Sequence, residues 1–151
     1  MTEASTGTGS PSRAALPSGP VWRAGLLAVL AATVVNAVAW VLLQQVLDVG
    51  LRIPSQPGGT ELTSLPLGPV ILVTALSSLV GAVVLWLLTR RGPSGVRLFV
   101  ILAVAFGVLS ALPAFGLDVS TARRLGLVLF HLLATVSVIA VVRQQLARWA
   151  A

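Results

Sequence analysis

The chain has no cysteine, no lysine and no tyrosine, a single histidine and only four acids. Without thiols it can form no disulfide, no thiolate metal site and no thiol redox centre. One histidine cannot supply the paired axial ligands of a membrane b-type haem, and no cluster of His, Asp and Glu suggests a metal, so no cofactor is expected. Charged residues make up 9% of the chain, against about 25% in a soluble domain. That leaves too little polar surface to cover a water-facing globule. The net charge of +6 comes from ten arginines against four acids. The arginines gather at the ends of apolar runs and form no stripe with interleaved aromatics, which argues against nucleic acid as a partner.

Apolar residues are what the chain has in abundance: 56% of 151 residues, with a mean hydropathy of +0.98. The length suits one compact domain. Four runs stand out, Ala24–Leu47, Val70–Thr89, Leu98–Leu112 with its continuation to Leu117, and Leu125–Val142. A helix needs roughly 20 apolar residues to cross a hydrocarbon core of about 30 Å. Three runs reach or approach that length outright, and the third does so if its helix continues past Pro113. The expected fold is all-α: a four-transmembrane-helix bundle over residues 21–151, with helices near 22–47, 69–90, 97–115 and 121–148, and the lipid bilayer as its principal partner.

Residues 1–20, "MTEASTGTGSPSRAALPSGP", are small, polar and rich in Pro and Gly. Such a segment cannot bury enough apolar surface to fold and reads as a disordered tail. The first run is read as a retained span and not a cleaved leader, because apolar residues continue past the small-residue triplet Ala37-Val38-Ala39. Arginine placement sets the threading. With the N-terminus in the cytoplasm, the inner side carries Arg13, Arg23, Arg90, Arg91, Arg97, Arg143 and Arg148, and the outer side only Arg52, Arg123 and Arg124. Both termini are then cytoplasmic in a multi-pass protein of the plasma membrane. Trp22, Trp86 and Trp149 fall near the inner interface, where indoles prefer to sit.

The connection "DVGLRIPSQPGGTELTSLPLG" between the first two runs is the one sizeable extramembrane piece. "LRI" and "TELTSL" flank a Pro/Gly turn, which fits either a small extracellular hairpin or an irregular loop. Arg52, Gln56 and Glu61 there are either a binding surface or ordinary solvated loop residues. "LDVG" at 47–50 and "LDVS" at 117–120 occupy matching places after the first and third runs, a faint trace of two related helical hairpins.

Polar groups inside a membrane turn inward, and small residues let helix backbones approach. Ala24, Ala28, Ala32 and Asn36 share one face of the first helix. Thr74, Ser77, Ser78 and Gly81 mark the second helix, Ala103, Gly107 and Ala111 the third, and Arg124, His131 and Thr135 the fourth. Counted from the nearest inner arginine, Asn36, Ser78, Ser110 and His131 lie 12 or 13 residues in, about 18–20 Å at 1.5 Å per residue. Each helix thus offers one hydrogen-bonding residue at similar depth. This polar layer is either packing glue or a gate. His131 is expected to bond Asn36 or a serine across the bundle, in the neutral form.

Catalysis is not expected. Ser78 and His131 have no Gly-flanked nucleophile elbow and no orienting acid at that depth, and a proton-coupled carrier would need an embedded carboxylate. Two roles remain: a non-enzymatic envelope scaffold or accessory subunit that packs with itself or a membrane partner, or a small oligomeric transporter or channel using the polar layer.

The pattern "LDVGLRIPSQPGG…LPLGPV", followed by "LSALPAFGLDVSTARRLGLVLFHLLATVSVIAVV", resembles a family of actinobacterial four-helix membrane proteins grouped as a domain of unknown function. Its last helix carries a histidine in an "HL" pair, matched by His131-Leu132. The lack of lysine and abundance of Ala, Val, Leu and Arg fit a high-GC genome. The resemblance spans residues 22–142 and implies a fold and a membrane location, with no activity attached.

Overall fold

The computed structural model of the chain describes residues 16–56, 59 and 61–150, with side chains described up to Arg148 in the last helix. Most of the expected tail, including Arg13, lies outside these residues, as does the side chain of Trp149.

Four helices carry the fold: α1 (Ser18–Val41), α2 (Leu67–Thr89), α3 (Ser94–Ala111) and α4 (Thr121–Ala150). Each is long and apolar enough to cross a membrane, with mean hydropathies of 2.4 to 2.5. α1 begins at Ser18, one turn before the expected start at Trp22. The sequence Ser18-Gly19-Pro20 forms its first turn, where proline's missing N–H costs no helical bond. The last turn of α1 widens into a π-helical segment, Leu42–Val46. α3 stops as an α-helix at Ala111 and continues as a 3₁₀ segment, Leu112–Gly116. Pro113 explains the change, since its ring clashes with the carbonyl four residues back and its nitrogen donates nothing. The rod nonetheless reaches Gly116, so the third span is complete.

The helices alternate in direction. The start of α1, the end of α4 and the α2–α3 turn lie at one end of the bundle, called here the termini end, and the long α1–α2 connection and the α3–α4 turn at the other, the loop end. α1 packs most extensively against α2 and α4, and α3 touches both of those more lightly. The buried stripe of α1 is Val21, Ala24, Gly25, Ala28, Ala32, Asn36 and Ala39. That is the expected alanine face, and it works by closeness: a Cβ added to Gly25 would come within 2.7 Å of the Ala82 Cβ. On α2 the buried face runs Val70, Thr74, Ser78, Ala82, Leu85 and Thr89. Ser77 and Gly81, expected on that face, are turned away from it. Ser77 is exposed and bonds back to the Val73 carbonyl, and a Cβ on Gly81 would meet open space.

Two apolar clusters fill the bundle. Toward the termini end, Val21, Ala28, Leu85, Phe99 and Val142 are buried together. Toward the loop end, Ala39, Leu51, Leu65, Val70, Ala114, Leu127 and Phe130 form the second cluster. The outward residues, such as Leu30, Leu72, Val80, Ile101 and Phe106, are large, apolar and exposed, as lipid-facing positions should be. At the termini end Trp22 and Trp86 lie with ring centroids 5.9 Å apart, and the Arg90 guanidinium sits 4.0 Å above the Trp86 ring. This is the amphipathic belt expected where a helix leaves hydrocarbon.

The loop is a hairpin. Strands β1 (Arg52–Pro54) and β2 (Leu62–Ser64) pair antiparallel, Arg52 opposite Ser64 and Pro54 opposite Leu62. Its base folds back onto the helices. Leu51 is fully buried and lies over Gly126, where an added Cβ would approach the Leu51 side chain to 2.7 Å. The Leu51 N–H donates to Gln44 Oε1 at 2.8 Å, and Trp40 Nε1 donates to the Leu65 carbonyl at 2.9 Å. Arg123 Nε reaches the Val49 carbonyl at 3.3 Å, and Arg124 Nη2 the Leu117 carbonyl at 3.1 Å. The hairpin is therefore a cap built into the bundle.

Candidate functional site

Two side-chain pairs bond across helices inside the bundle, one in each helical hairpin. Between α1 and α2, Asn36 Nδ2 donates to Thr74 Oγ1 at 3.0 Å, with both residues buried. Ser78 is buried one turn further along the same α2 face, about 6 Å toward the termini end. Between α3 and α4, Ser110 Oγ and His131 Nδ1 are 3.1 Å apart. Ser110 also donates to the Gly107 carbonyl at 3.1 Å. A serine hydroxyl has one proton. When that proton rests on the Gly107 carbonyl, Nδ1–H donates to Ser110 and Nε2 keeps a free lone pair. Thr135, one turn after His131, donates to the His131 carbonyl at 2.8 Å. Its hydroxyl lies against Gly107, where any Cβ would collide with it.

All four residues named from the sequence are at least partly buried. Of the two partners expected for His131 the serine is the one it meets, as Ser110, whereas Asn36, also expected within its reach, bonds Thr74 instead. Asn36 faces α2, and His131 faces α3. Thr74 is the partner that depth counting passed over; its place four residues before Ser78 was the available signal. Gly107 is similar: small on the expected face, its role visible only once Thr135 is seen against it.

One atom in this region is unmet. Asn36 Oδ1 is buried and has no hydrogen-bond partner among the described residues, although burying such a group costs about 1–3 kcal/mol by mutational measure. Arg124 Nε is in the same state at the loop end. The acids Asp48, Glu61 and Asp118 sit in loop-end connections, outside the helices, so the described spans bring no carboxylate to His131. Among the described residues no group of three His, Asp or Glu side chains could hold a metal. In the hairpin, Arg52, Gln56 and Glu61 are all exposed, and their region is organised by backbone bonds such as Ser55 N–H to the Glu61 carbonyl.

Four apolar spans with paired polar groups facing inward define an integral membrane protein of the four-helix class. The chain belongs to the family described as "Family of unknown function (DUF6069)", whose model matches residues 17–148. No curated protein and no solved structure matches it.

Proposed function

We propose that the protein is a non-enzymatic scaffold or accessory subunit of the plasma membrane, with both termini in the cytoplasm, that packs in the bilayer with a second copy or with another membrane protein. An actinobacterial source accords with its lysine-free composition. The observation carrying this reading is the filled interior. Apolar clusters lie on either side of the two polar pairs, and a hairpin anchored by Leu51 covers the loop end. A bundle packed in this way serves as a rigid structural unit, and hydrogen-bonded pairs between helices hold its register.

The transport reading keeps one specific support, the buried and unpartnered Asn36 Oδ1, which a passing polar solute could engage. In-cell photocrosslinking from exposed positions on α2 and α3, such as Val80 and Phe106, together with solute flux in proteoliposomes separates the two. Discrete crosslinked species of defined mass with no flux support the scaffold. Flux that is lost in Asn36→Ala, with or without crosslinks, would replace it with the transporter.

A further inference from the structure

Arg97 and Arg143 share a groove on the lipid-facing side of α3 and α4 at the termini end. The groove has a volume of about 410 Å³ and is lined by Pro93, Val96, Arg97, Val100, Ile101 and Arg143. Small-molecule sites range over about 300–1,000 Å³, so it is large enough for a headgroup. Register places the two arginines level. Arg97 lies 13 residues before Ser110 and Arg143 lies 12 after His131, and those two residues touch across antiparallel helices. The arginines therefore stand about 18–20 Å from that pair along the bundle, near where hydrocarbon gives way to headgroups.

The groove has a reason to open here. Gly107 draws α3 onto α4 nearer the loop end, whereas toward the termini end Phe99 is buried in the bundle core with Val21, Leu85 and Val142, which leaves the outer side of α3 and α4 unfilled. The α3 lining residues recur at three- and four-residue spacing, a single helix face. Both arginines are exposed, and the described acids, Asp48, Glu61 and Asp118, are all at the opposite end of the bundle.

We infer that this groove is a binding site for one anionic phospholipid, its phosphate held between Arg97 and Arg143 and one acyl chain lying along Val100 and Ile101. Charge complementarity carries the assignment. Two guanidinium groups from different helices can clamp a phosphate through paired N–H donors, and their apolar floor continues toward the bilayer centre because Val100 and Ile101 are one turn deeper than Arg97. Basic pockets between membrane-spanning helices on the cytoplasmic side are a recurrent site for anionic headgroups. The inference rests on the four-span fold and on the proposed threading, which puts the termini end at the cytoplasmic leaflet.

The test uses the full chain purified in detergent with equimolar phosphatidylglycerol and phosphatidylcholine, and counts retained lipids by native mass spectrometry. One phosphatidylglycerol should be retained in preference to phosphatidylcholine. Arg97→Gln with Arg143→Gln should reduce that preference, by about fivefold per arginine. Arg91→Gln with Arg148→Gln removes the same charge from the same end and should leave the preference in place. Ile101→Trp keeps every charge but obstructs the acyl lane, and should also lower retention. Equal losses in the two double variants, or undiminished preference in both groove variants, would overturn the site. Displacement of the lipid by millimolar inorganic phosphate would overturn the lipid as occupant.

Discussion

Ser110 on α3 and His131 on α4 meet at 3.1 Å, one turn from the place where Gly107 admits Thr135. Polar bonding and close backbone approach thus fall on the same stretch of one helix pair. The relationship accounts for the histidine: it faces a neighbouring helix and a hydroxyl, in a stretch where the outer positions face lipid.

His131→Leu should weaken the folded bundle only slightly, by about 0.6 kcal/mol and at most near 1.7, the range measured for interhelical bonds in a membrane. Ser110 keeps its bond to the Gly107 carbonyl. A double-mutant cycle with Ser110→Ala, read by steric-trapping unfolding in bicelles, should give a coupling of the same size. Loss of a deletion-rescuing phenotype with stability intact would instead make the pair functional.

Gly107→Ala should cost more than His131→Leu. The new methyl collides with the Thr135 hydroxyl, and overpacking of this kind costs about 1–3 kcal/mol. Adding Thr135→Ala removes the nearest clashing atom and should recover part of the loss in the same unfolding measurement.

Asn36→Val should be tolerated better than Asn36→Asp. The valine gives up one bond to Thr74 but also removes the unmet Oδ1. A carboxylate at this depth carries an insertion penalty of about 2.5–3.5 kcal/mol. Membrane-inserted yield after translation in the presence of microsomes orders the two variants.

Leu51→Ala should loosen the cap. Leu51 is fully buried over Gly126, and truncating such a leucine costs about 2–5 kcal/mol. Limited proteolysis should cut the hairpin of Leu51→Ala faster than the wild type, with the four spans remaining intact.

The threading predicts that alkaline phosphatase fused within the α1–α2 connection is active and that green fluorescent protein fluoresces at either terminus. The reverse pattern would contradict the arginine reading.

Much of this molecule was written in local chemistry. Long apolar runs with almost no charge must become helices in a bilayer, because a backbone in hydrocarbon has to satisfy its own hydrogen bonds. The spans follow from that alone, and the alanine face of α1 from the need of small residues where helices approach. Whether the third helix carries on past Pro113 was open in the sequence, and the structure continues it as a 3₁₀ segment. Partner choice does not. Asn36 and His131 lie at similar depth by residue count, but depth is one coordinate and partnership also needs the rotation of each helix about its axis. That rotation is set by packing between residues far apart in sequence: Gly25 against Ala82, Gly107 against Thr135, and Phe99 in the core with Val21, Leu85 and Val142. The same packing turned Asn36 to Thr74 and His131 to Ser110, seated Leu51 over Gly126, and opened the groove between Arg97 and Arg143. Composition and periodicity determine that polar groups face inward, and only the fit of one helix surface into another decides which of them touch.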